Sequence, residues 1–156
     1  MSFIGNIAAA QTAKTLGKYN ESIIHHEAAY ERRKAAIREK VYNTIERPRF
    51  VDQQEQQYAS FFVNALRTGA EYREGTTPFF VGIQNRTNQM LDLALSDYNT
   101  KVTVNDMINQ SLLLQARGTG ERLKGDLTAR AEYMKAGASL LSMGYQSQNQ
   151  GRLVIT

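Results

Sequence analysis

The sequence predicts an all-α fold of long amphipathic helices, arranged as an antiparallel helical hairpin or elongated bundle that oligomerisation completes. Three observations predict it. Apolar and small residues recur three or four positions apart over most of the chain, the period of one helix face. Turn-forming residues gather at only two places, around Pro48 and over Gly69–Pro78. Asn and Gln make up 22 of the 156 residues and lie partly along the helix faces. Such helices bury too little surface alone, so neighbouring chains are expected to cover the remainder. The whole reads as one elongated helical domain over residues 1–146, with a flexible tail over 147–156.

The first helix is expected over about 3–47. Ile4, Ala8, Leu16, Tyr19, Ile23, Tyr30, Ile37, Val41 and Ile45 lay one narrow stripe along it, suited to packing against other helices. Gly17 is a candidate kink. Pro48 ends the helix, because its ring removes a donor and pushes Arg47 out of the helical region. A second helix is expected over 52–69, opened by Asp52 as N-cap with Glu55 three residues on. The turn over Gly69–Pro78 follows, with Gly69 and Gly75 in conformations costly for other residues. Thr77 caps the third helix there and Pro78 fills its first position. The bulky runs Phe61-Phe62-Val63 and Phe79-Phe80-Val81 flank the turn and are expected to staple the second helix to the third.

The third helix is expected over 78–144, with breaks weighed near 100–105 and 118–125. Unbroken, it would reach roughly 100 Å at 1.5 Å per residue. Its packing residues are read as Leu112, Ala116, Gly118, Gly125, Leu127, Met134, Gly137, Leu141 and Gly144. The leucines and the methionine supply the apolar stripe, and the small residues let partner helices approach closely. Beyond them, Leu153-Val154-Ile155 is the one short strand candidate.

The chemistry-bearing residues are sparse. The chain has no Cys, no Trp and two His, which removes thiol catalysis, disulfides and cysteine metal sites. His25 and His26 are adjacent on a helix and point about 100° apart, so they cannot chelate one metal. Gly118–Gly125 lacks the Gly-Lys-Ser/Thr ending of a phosphate loop and has no preceding strand. No catalytic, cofactor or metal site is assigned, and an enzyme is not expected. The net charge is +4, but basic and acidic residues interleave, as in Glu31-Arg32-Arg33-Lys34. That is the pattern of a solvated face with i,i+4 pairs rather than a nucleic-acid stripe. Weak or no sequence-specific nucleic-acid binding follows. No stretch is apolar enough to span a membrane, and the N-terminal apolar run lacks the basic start of a signal peptide.

At the turn the sequence takes on a recognisable layout. An Ala-rich amphipathic helix leads to Arg67-x-Gly69, and Gly75-Thr76-Thr77-Pro78 closes the turn. A long helix then carries Asp97 and Ala116-Arg117-Gly118, and finishes in Ala136-Gly137-Ala138-Ser139-Leu140-Leu141-Ser142-Met143-Gly144. Over roughly residues 5–146 this resembles the small internal virion proteins, or ejection proteins, of short-tailed bacteriophages. The resemblance implies a structural protein packaged inside the capsid near the portal. It would leave with or ahead of the genome and help form a conduit across the host envelope. The partners implied are copies of itself, other internal virion proteins, the portal and, after ejection, the host membrane. A basic helical protein bound to packaged DNA is the alternative, and a head–tail adaptor is a third reading.

Overall fold

The computed structural model describes the backbone of residues 3–151 and the side chains of residues 3–145. It is 94% helical, with no strand among the described residues. Helix α1 is Phe3–Val41, a π-helical turn spans Tyr42–Glu46, α2 is Arg47–Arg67 and α3 is Thr77–Gly151. The all-α class is therefore as the sequence predicts.

The junction at Pro48 differs from expectation. There is no break: α1 passes through the π-turn directly into α2, Pro48 sits in the first turn of α2, and Asp52 lies inside that helix rather than capping it. The wider turn explains this. The Arg47 N–H reaches back five residues to the Tyr42 carbonyl, inserting an extra residue where the proline ring would otherwise meet the preceding turn. The Thr44 hydroxyl donates to the Lys40 carbonyl at 2.7 Å. Helix α3 is a single element of 75 residues, so neither weighed break occurs. It extends past residue 144 to Gly151, through part of the segment expected to be a flexible tail. The remainder of that tail, and the strand candidate Leu153-Val154-Ile155, lie outside the described residues.

The turn between α2 and α3 is built by two left-handed glycines. Gly69 has φ +71° and Gly75 has φ +86°. At Gly69 the N–H of Ala70 bonds the Ala65 carbonyl and the N–H of Gly69 bonds the Leu66 carbonyl, a Schellman end that satisfies two orphan carbonyls. The N-cap position of α3 is Thr76, whose carbonyl accepts from the Phe80 N–H at 3.2 Å, so Thr77 is the first helical residue and Pro78 the second, not the first. The Thr76 hydroxyl accepts from the Arg73 N–H and lies 2.7 Å from the Arg73 carbonyl and 2.9 Å from the Glu71 carbonyl. Aromatic rings close the turn: Phe62 meets Tyr72 edge-on at 4.9 Å, and Tyr72 meets Phe79 at 5.9 Å. The two bulky runs thus join through a loop tyrosine. Gly75→Val forces a β-branched residue into the left-handed region and should cost about 1–2 kcal/mol. A lower thermal unfolding midpoint by circular dichroism is the readout, and an unchanged midpoint would contradict this account of the turn.

Packing divides the chain into two compact units, one of residues 1–30 with 110–156 and the other of residues 31–109. In the first, α1 and α3 run in opposite directions, Gly17 lying against Gly125 and Ala28 against Ser111. The Ser111 hydroxyl donates to the Ala28 carbonyl at 2.8 Å. The buried residues of this seam are small: Asn6, Ala10, Ala28, Ser111, Ala129 and Ala136. In the second unit, Ala35, Tyr42, Thr100 and Val104 are buried. Gln54 and Gln89 each donate from the side-chain amide to the other's backbone carbonyl, both at 3.0 Å.

Candidate functional site

Small residues inside leave large ones outside. On α1, Leu16, Ile23, Tyr30 and Ile37 stand seven residues apart and are all exposed. The stripe assigned from sequence to helix packing therefore does not face α3. The residues that do, such as Ala28 and Ala35, lie round the helix from it. On α3 the same division holds. Leu127, Met134 and Leu141 are 55%, 71% and 68% exposed, and Leu112 and Leu123 are exposed too.

The nine predicted packing residues consequently separate into two groups. Gly118 and Gly125 are buried in the seam with α1. A Cβ on Gly118 would stand 2.9 Å from the His25 ring, and one on Gly125 would stand 2.8 Å from the Ala13 carbonyl oxygen. These two glycines serve the chain's own helix, not a partner. Leu112, Ala116, Leu127, Met134 and Leu141 are exposed, as are Gly137 and Gly144, beside whose Cβ positions there is open space. Of the turn residues, Gly69 and Gly75 are the two left-handed positions of the loop, and Thr77 and Pro78 are the first two residues of α3.

One polar cluster was not foreseen. Beside the π-turn, a cleft of about 350 Å³ is lined by Glu39, Tyr42, Arg47, Asp97, Lys101 and Asn105, among others. The Tyr42 hydroxyl donates to Asp97 Oδ1 at 2.7 Å and lies 3.0 Å from Ser96 Oγ. Arg47 Nε donates to the same Oδ1 at 3.0 Å. The hydrogen bonds from Tyr42 and Arg47 hold the Asp97 carboxyl below the usual aspartate range. Burial, with the Asp97 charge adding to it, pushes the Tyr42 phenol up. A carboxylate so engaged is a fixed acceptor, and a phenol held neutral is a fixed donor. The cluster pins α1's end to α3 at one register, the role that a polar group inside a helix seam performs best. The sequence held a trace of it: Asp97, Val104, Ser111, Gly118 and Gly125 follow at strict intervals of seven, a seam hidden by its own small residues.

Among the described residues, no three His, Cys, Asp or Glu side chains gather as a metal site, and no helix is long and apolar enough to cross a membrane. What the fold and its surface define is an all-α chain whose exposed apolar stripes are its main chemical feature. No protein-family model, curated protein sequence or solved structure matches it.

Proposed function

We propose that this chain is a structural internal virion protein of a short-tailed bacteriophage, packaged near the portal and contributing to the conduit for genome delivery. In this reading α1–α2 and α3 are the arms of an antiparallel hairpin, and neighbouring copies or larger internal virion proteins complete the bundle. The observation that carries the assembly part is the exposed series Leu112, Leu123, Leu127, Met134 and Leu141 on α3. A monomer rarely leaves large contiguous apolar surface uncovered. The virion context rests on the resemblance in layout and on the absence of Cys, which suits a chain that must be threaded and reassembled without disulfide rearrangement.

Two measurements test it. Imaging of particles that carry the protein should place it inside the shell at the portal vertex; a position outside the shell overturns the virion reading. Sedimentation at micromolar concentration should show an oligomer that Leu127→Glu weakens by about a hundredfold, because a charge without a partner in an apolar contact costs roughly 2–3 kcal/mol. Lys124→Glu should change association far less. A monomer unaffected by either substitution overturns the assembly reading.

A further inference from the structure

We infer that the outward face of α3 between Leu123 and Tyr145 pairs with the same face of a second copy, antiparallel and centred on Met134. This deepens the assembly part of the reading above and rests on it. The face is continuous. Leu123, Leu127, Ala131, Met134, Ala138, Leu141 and Tyr145 follow at steps of three or four residues, the spacing of a helix-packing seam. Leu123 is 58% exposed and Tyr145 73%. Gly125, Ala129 and Ala136, which face α1, lie on the opposite side of the helix, since the nine residues from Gly125 to Met134 turn it by about 180° at about 100° per residue.

The uncovered surface is more than a second copy needs. The chain leaves 11975 Å² accessible. A compact monomer of 17.6 kDa leaves about 7,900 Å². The excess of roughly 4,000 Å² exceeds the ~1,600 Å² that a standard interface buries.

Charge then selects the direction. Lys124, Asp126, Arg130 and Glu132 lie in the first half of the stripe's length and Lys135 just past its centre, whereas residues 136–151 contain no charged residue. A parallel pair in register sets Lys124 level with Lys124 and Arg130 level with Arg130, repulsions that a contact of low dielectric strengthens. An antiparallel pair centred on Met134 sets residues 124–132 level with 136–144. Leu127 then meets Leu141, Leu123 meets Tyr145, and Arg130 stands beside Ala138. Lys135, nearest the two-fold axis, is already neutralised by Glu132 on its own helix.

Because the chain has no Cys, single-cysteine oxidation reads the pairing directly. In the full-length protein, Met134→Cys should cross-link to itself, since only residues at the two-fold axis meet their own copies within disulfide reach. Leu127→Cys alone should stay largely uncross-linked, yet form a mixed dimer when combined with Leu141→Cys. Lys124→Cys should not link. Self-linking of Leu127→Cys as complete as that of Met134→Cys overturns the inference in favour of a parallel pair. Linking through Lys124→Cys, or through none of the seam variants, overturns it as well. An oligomer by sedimentation with any of those results keeps the assembly reading and discards the antiparallel pair; a monomer discards both.

Discussion

Gly125→Val is expected to lower stability by about 3 kcal/mol, the upper end of what over-packing costs. A Cβ on Gly125 would lie 2.8 Å from the Ala13 carbonyl oxygen and 2.9 Å from the Gly17 Cα. Both obstacles are backbone, which cannot rotate aside as a side chain could. The two helices must separate at this point, and separation strips contacts from Ala10, Ala28 and Ala129, whose small side chains pack only at short range. For a chain of this length, 3 kcal/mol corresponds to roughly 6–12 °C in unfolding midpoint. Gly120 supplies the control within the same helix. Beyond its own stretch of helix backbone, no atom lies within 4 Å of its Cβ position, so Gly120→Ala should gain about 1 kcal/mol of helix propensity. Thermal melts followed by circular dichroism decide it. Equal behaviour of the two substitutions would show that the seam does not depend on close approach at Gly125.

The contrast between these glycines marks where the sequence was legible. Periodicity made the helices plain, and the turn was plain because Gly69, Gly75 and Pro78 have few other uses in so helical a chain. The exposed series Leu112, Leu127, Met134 and Leu141 was visible as well. What the pattern hid was the chain's own seam. Hydrophobic periodicity weights large residues, so the Leu16–Ile23–Tyr30–Ile37 stripe stood out, while Ala28, Ala35 and Ser111 did not, and Gly118 and Gly125 were read as facing a partner. Large side chains would hold two helices too far apart for the Ser111 hydroxyl to reach the Ala28 carbonyl. The unbroken passage through Pro48 was hidden for a different reason. A π-turn has no residue signature of its own, and the rule that proline ends a helix assumes four-residue hydrogen bonding up to the ring.

Loss of the Asp97 carboxylate should cost about 2 kcal/mol, within the range for hydrogen bonds to a charged group. Asp97 accepts from Tyr42 and Arg47 together. Asp97→Ala leaves the Tyr42 hydroxyl, on a residue only 5% exposed, with Ser96 as its remaining side-chain partner. Arg47 is more accessible and is resolvated at little cost. The pH dependence follows from the direction of each shift. The Asp97 carboxyl titrates lower in the folded chain than in the unfolded one, so its contribution is present above the unfolded value near 3.9. It is lost as pH falls through the folded value below that. The Tyr42 phenol titrates higher when folded. Its contribution is complete below the unfolded value near 10, and disappears as pH rises through the folded one. Wild-type stability should therefore fall at both extremes, while Asp97→Asn flattens part of the acid limb and Tyr42→Phe part of the alkaline one. A double-mutant cycle between these two substitutions should return a coupling of roughly 1 kcal/mol or more, as groups sharing a hydrogen bond do. Additive losses, with both pH limbs unchanged, would mean that Tyr42 and Asp97 do not act as one lock, and that the other contacts of this unit, the Gln54–Gln89 pair among them, hold its register.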